Sequence, residues 1–199
     1  SHLLQDQTPA YPGDEPCRLV QTGSVERDGY TSFLLNTGLH AGTHLDAPLH
    51  FVVEGAMVRD LPLETFMGRG CLIDVRGEVV VGYEPEYASL VEADDIVLLW
   101  TDHSKRYGTK EYYERHPVLN EELADFLVTR GIKLLGLDFP SPDSMPFVVH
   151  KKLLSAGIPI IENLTNLAEL ANLSHFEVMA FPLRICAEGS PVRVVVRVG

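Results

Sequence analysis

His40, His44, Asp46 and His50 fall within residues 40–51, so three of the chain's 8 histidines and one carboxylate share a stretch that also holds Gly42 and Pro48. Imidazole nitrogens and carboxylate oxygens are ligands for zinc or manganese, and a carboxylate can bridge two ions where one imidazole nitrogen serves one. The cluster therefore points to a metal site, with Asp46, flanked by His44 and His50, as the bridging candidate. Its polar set lies on even positions, whereas Leu39, Ala41, Leu45, Ala47, Leu49 and Phe51 are apolar. That alternation predicts a strand with one ligand face and one core face.

A straight strand fails on distance. At about 3.3 Å per residue His40 and His44 would stand about 13 Å apart, beyond the reach of one ion. The chain must bend between them, and Gly42 permits the bend; Pro48 allows a second change of direction before His50. A helical histidine pair at i and i+4 is the competing geometry, which Gly42, β-branched Thr43 and Pro48 oppose.

The rest of the chain has to present this stretch. A length of 199 residues is enough for one well-cored domain over residues 1–199. A hydrophobic content of 45% with 22% charged residues is that of a soluble globular protein. The net charge of -12 leaves no basic stripe and excludes nucleic acid as a partner. The acid excess is compatible with cation binding and equally with surface solubility. Cys17, Cys71 and Cys186 are far apart and form no CxxC pattern, so no disulfide framework is expected. With no basic-then-apolar leader, the expected location is cytoplasmic. No apolar run approaches the roughly 18 residues that cross a bilayer, so no membrane partner is expected.

Residues 1–16 are turn-rich, and Tyr11-Pro12-Gly13-Asp14 predicts a loop over the body of the protein, with Tyr11 either packing or walling a substrate pocket. Residues 18–22 and 31–37 lean to β structure around a turn at Gly29. The run Ile96–Trp100 predicts a buried strand that exits into Thr101-Asp102-His103, where His103 reads as a solvated loop histidine. Residues 104–117 carry Tyr107, Tyr112 and Tyr113 and read as a lid or a surface excursion. Asn120 as N-cap, Glu121 and Glu122 in the first turn, Leu123, Phe126 and Leu127 on one face, and Gly131 at the end predict a helix over 120–129. A buried strand over 132–137 follows, an α/β order. Further on, a short helix over 147–155 carries His150 and a strand over 158–161 presents Glu162. A helix over 164–173 and strands over 178–184 and 192–198 complete the expectation.

The pattern His-x-Gly-Thr-His-x-Asp-x-Pro-x-His-Phe over residues 40–51 resembles the signature of the cyclase-like metal hydrolases, which include bacterial kynurenine formamidases and isatin hydrolases. The likeness extends through Tyr11-Pro12-Gly13-Asp14, Gly136-Leu137-Asp138, Ser141-Pro142-Asp143, and His150 with Glu162. It implies an α/β fold, a single compact domain of the swivelling β/β/α type. It places His40, His44 and Asp46 on one metal with Asp46 shared, His150 on a second, and Glu162 on either or both. His50 becomes the general acid/base rather than a ligand. One or two divalent ions per subunit are implied, zinc first and manganese as the alternative, in a homodimer or higher oligomer. Tyr11 stands where kynurenine formamidases carry a substrate-stacking Trp, which marks it as a substrate-binding candidate. Taken alone, His150 reads as a surface or core histidine and Glu162 as an ordinary strand-end carboxylate; the resemblance is what selects them.

The implied chemistry is hydrolysis of a small-molecule amide by a metal-activated water, with His50 carrying the proton to the departing amine. Asp138 and Thr43 read either as supports behind the ligands or as structural. An aryl formamide is the expected substrate. A cyclic amide, or a non-catalytic metal- or ligand-binding role, is the alternative; His50 favours an enzyme, because storage needs no histidine outside the ligand pattern.

Overall fold

Every residue of Ile96–Trp100 is buried, and the computed structural model, which describes residues 1–199, shows what covers each side. The strands in chain order are β1 (Arg18–Gly23), β2 (Ser32–Asn36), β3 (His44–Asp46), β4 (Met67–Asp74), β5 (Val80–Val81), β6 (Ile96–Trp100), β7 (Val118–Leu119), β8 (Leu134–Leu137), β9 (Ile160–Glu162), β10 (Glu177–Met179), β11 (Gly189–Pro191) and β12 (Val195–Arg197). The helices are α1 (Val25–Asp28), α2 (Tyr87–Leu90), α3 (Lys110–Glu114), α4 (Glu121–Arg130) and α5 (Val148–Ser155). One mixed sheet runs in the order β11-β3-β9-β8-β6-β4-β10-β12, and β1-β2 and β5-β7 form separate pairs. Its centre, β9-β8-β6-β4, is parallel, and the flanking pairs are antiparallel.

Alternate residues of the central strands feed two cores. Val97, Leu99, Leu135 and Leu137 pack with Leu123 and Leu127 of α4 and Leu153 of α5. Ile96, Leu98 and Leu134 pack on the other side with Leu45 of β3, Phe66, Phe176 and Val178. A parallel strand covered on both faces has no polar side to show, which is why β6 is apolar throughout. Each such side chain contributes roughly 1.5–3 kcal/mol by its burial. Gly136 in β8 is required by this closeness, since a Cβ there would lie 2.6 Å from Leu98 Cδ2 and 2.7 Å from Leu164 Cδ1.

Helix α4 has the caps its sequence predicts. The Asn120 side chain accepts from the Leu123 N–H, and Gly131 ends the helix at φ 71°. The helix expected over 164–173 is reduced to a 3-10 turn, Leu167–Leu170, because Asn163 and Asn166 take left-handed backbone at φ 58° and 63°. The strand expected over 178–184 stops at Met179. The Gly-Ser-Pro segment that looks like a turn is β11, an edge strand where a proline is tolerated.

Candidate metal centre

Gly42 adopts φ 67° and makes the bend that brings His40 and His44 to one place. The strand expected along the whole stretch is confined to β3, whose core face is Leu45, continued by Ala47, both fully buried. Pro48–His50 then form a 3-10 turn that folds His50 back, so that its ring stacks on His40 at 4.3 Å between centroids. Pairing of β3 with β9 sets His44 opposite Glu162. The first turn of α5 delivers His150, whose Nε2 lies 3.3 Å from Glu162 Oε1.

The two carboxylates divide their oxygens between the histidines. Asp46 Oδ1 lies 2.8 Å from His40 Nδ1 and 3.5 Å from His44 Nε2, while Oδ2 faces His150 Nε2 at 3.9 Å. Glu162 Oε2 lies 3.3 Å from His44 Nε2, with Oε1 turned to His150. Two candidate ligand groups result, His40-His44-Asp46 and Asp46-His150-Glu162, each with its potential donor atoms within 4.8 Å of one another. Asp46 belongs to both groups and His50 to neither.

His44 Nε2 and Glu162 Oε1 are buried without a hydrogen bond of good geometry, and Asp46 Oδ1 has only the His40 ring nitrogen at 2.8 Å. Buried polar atoms are nearly always paired, and no lysine or arginine lines the cavity to neutralise the carboxylates. The residues therefore fit a divalent cation, which would satisfy imidazole nitrogen and carboxylate oxygen together in place of the protons that the metal-free histidines hold. The remaining ring nitrogens are tied down. His44 Nδ1 donates to the Gly42 carbonyl at 2.9 Å, and His150 Nδ1 donates to Asp143 Oδ1 at 2.5 Å. Asp143 Oδ2 also accepts the N–H groups of Val149 and His150, at 2.6 and 3.3 Å, so one carboxylate both caps α5 and aims His150.

Burial alone would discharge these imidazoles, but the carboxylates outweigh it: His40 is pushed up to about 9, His150 up to about 10, and His44 is raised as well. Burial works against the Asp46 charge too, yet the surrounding histidines hold its carboxyl below the usual range. His50 goes the other way, lowered first by burial and then by repulsion from His40 and His150, over the opposing pull of Asp46. It is the neutral imidazole of the group, suited to take up a proton.

The cluster forms the floor of a cavity of about 260 Å³ whose sides include Tyr11, Phe51, Tyr113 and Phe147. Tyr11 meets Tyr113 edge-on at 5.8 Å. Thr43 Oγ1 donates to the Asn163 carbonyl at 2.5 Å and so braces the residue after Glu162. Asp138 does not reach the ligands: it accepts from the N–H and hydroxyl of Thr101, and burial pushes its carboxyl up to about 6. His103 is not solvated but 6% exposed, stacked on Tyr112. Asp143, named in the sequence only within the Ser141-Pro142-Asp143 likeness, and Asn163 are the site residues to which the sequence reading gave no role. The signal for Asp143, a carboxylate before a helix, was obscured by the Met145-Pro146-Phe147 segment that separates it from α5.

A family model described as putative cyclase matches residues 1–144. The kynurenine formamidase of Bacillus cereus is 34% identical over 203 residues, covering 99% of this chain and 95% of its own. Isatin hydrolase A from Labrenzia aggregata, in a structure bound to benzyl benzoate, aligns with a TM-score of 0.85 at 26% identity over 98% of this chain and 90% of that one. A potential metal-dependent hydrolase with cyclase activity aligns at a TM-score of 0.80 and 25% identity, over 100% and 96% of the two chains.

Proposed function

Because this chain belongs to the cyclase family, we propose that it is a metal-dependent hydrolase that cleaves a C–N amide bond, with an aryl formamide as substrate. The observation that carries this reading is the pair of ligand groups sharing Asp46 on the floor of an aromatic-walled cavity. His40, His44 and Asp46 would hold one cation, and Asp46, His150 and Glu162 a second. When bound, a divalent cation supplies Lewis acidity toward the amide carbonyl and lowers the pKa of water toward neutrality. Zinc is the first choice and manganese the alternative, since the donor set suits both.

His50 is the proton carrier. It stands beside the ligands, half-buried and neutral, so it can accept a proton from the attacking water and return it to the departing amine nitrogen. Tyr11, Phe51 and Phe147 give an aryl ring flat or edge-on contact. A cytoplasmic homodimer is part of the same reading: three free cysteines suit a reducing compartment, and the β1-β2 hairpin exposes Val20, Phe33, Leu34 and Leu35.

The test is formate release from N-formylkynurenine and simple aryl formamides by chelator-stripped and by zinc- or manganese-loaded protein. Turnover by the loaded protein alone is expected. The likeness to isatin hydrolase A supports a second reading, lactam opening, so isatin belongs in the panel. A loaded protein that hydrolyses none of these substrates refutes the catalytic reading in favour of a metal- or ligand-binding role.

A further inference from the structure

Tyr112 lies in the polar 104–117 segment yet is fully buried. Its ring stacks on His103 at 5.0 Å and 21°, and His103 Nε2 is 2.9 Å from the Tyr112 carbonyl. The hydroxyl donates to Asn163 Oδ1 at 2.7 Å. Burial, with Tyr113 and Glu162 adding to it, holds the phenol far above its ordinary pKa, so it remains a donor. The other end of the Asn163 amide faces the Gly42 carbonyl, which can only accept, so the nitrogen lies there and the oxygen faces the Tyr112 hydroxyl, a choice that an amide otherwise leaves open.

With Oδ1 committed to Tyr112, Asn163 Nδ2 donates to the Gly42 carbonyl at 2.9 Å. The same carbonyl receives His44 Nδ1 at 2.9 Å. Asn163 Nδ2 and His44 Nδ1 are 3.4 Å apart, and as two donors they cannot bond each other, so both converge on one oxygen. His44 Nε2 is left buried and unpaired, facing Asp46 and Glu162.

We infer that Tyr112 is a positioning residue for the metal site: through Asn163 and the Gly42 carbonyl it holds His44 with Nε2 turned to the cation, and so sets zinc affinity at His40-His44-Asp46. The inference rests on the metal-binding reading above. It also gives the 104–117 segment a role other than a lid.

The experiment measures zinc dissociation constants by competition with a chromophoric chelator for wild type, Tyr112→Phe, Asn163→Gly and the double variant. Phenylalanine keeps the ring and removes only the hydroxyl. Glycine deletes the amide while accepting the φ of 58° at Asn163. Tyr112→Phe should weaken zinc binding about 10-fold and Asn163→Gly at least as much. The double variant should lose no more than Asn163→Gly, because the hydroxyl acts only through the amide.

Melting temperatures of the metal-free proteins are read in parallel. A Tyr112→Phe protein that melts lower but binds zinc as wild type does overturns the inference, as do losses that multiply in the double variant. If Tyr112→Phe is too unstable to titrate, wild-type zinc affinity in Asn163→Gly overturns it alone. A wild-type protein that binds no zinc refutes the metal reading, and the inference with it.

Discussion

Replacing Asp143 by alanine removes one carboxylate that does two jobs. Its Oδ2 accepts two N–H groups at the start of α5, and its Oδ1 accepts the His150 ring. Losing the cap costs about 1 kcal/mol. Losing the charge-assisted bond costs roughly 1.5–3 kcal/mol. The sum is about 3 kcal/mol, which in a chain of this length lowers the melting temperature by about 6–12 °C. The effect depends on pH with a definite sign. Burial lowers the His150 pKa, but Asp143 and Glu162 raise it to about 10 in the metal-free fold. A raised histidine stabilises fully below its unfolded pKa of about 6.5, and that stability is lost as pH rises through the folded value. Melts in chelator should therefore show the widest gap between wild type and Asp143→Ala near pH 6 and a narrower one beyond pH 10, where the cap remains. Zinc affinity should fall about 10- to 100-fold, because the ring loses the partner that aims it. A variant within about 2 °C of wild type at pH 6, or a gap that widens with pH, would refute the reasoning.

Three other outcomes are expected. His50→Ala should lower kcat/KM by about 10²- to 10⁴-fold with zinc content unchanged by elemental analysis; loss of the metal would make His50 a ligand. Zinc binding at pH 7 should release protons from His40 and His150, which the metal-free fold holds up to about 9 and about 10, and binding should tighten as pH rises toward those values. Calorimetry in two buffers of different ionisation enthalpy measures the release, and an affinity independent of pH would contradict it. Gly136→Ala should cost about 1–3 kcal/mol, read as a lower urea midpoint, because its Cβ would press on Leu98 and Leu164.

The sequence was most legible where neighbours in the chain remain neighbours in space. His40, His44, Asp46 and His50 come from one stretch, and the bend at Gly42 followed from distance alone. The apolar run of β6 and the caps of α4 are equally local signals. His150 and Glu162 needed the family resemblance, because they reach the site through the β3-β9 pairing and the approach of α5. Tyr112 was hidden in a polar segment, and its burial depends on a ring stack with His103 and a bond to Asn163, 51 positions away. Leu164, Leu167 and Leu170 have helical spacing, but left-handed Asn163 and Asn166 break the path. β11 carries the residues of a turn and becomes a strand only because β3 lies beside it.

Asp46 is the residue on which both ligand groups depend, with one oxygen toward His40 and His44 and the other toward His150. The most direct test is elemental analysis of zinc-equilibrated, desalted wild-type and Asp46→Ala protein. One or two ions per subunit are expected in the wild type and none in the variant, with formamide hydrolysis lost alongside. An Asp46→Ala protein that keeps the wild-type complement of zinc would contradict the account.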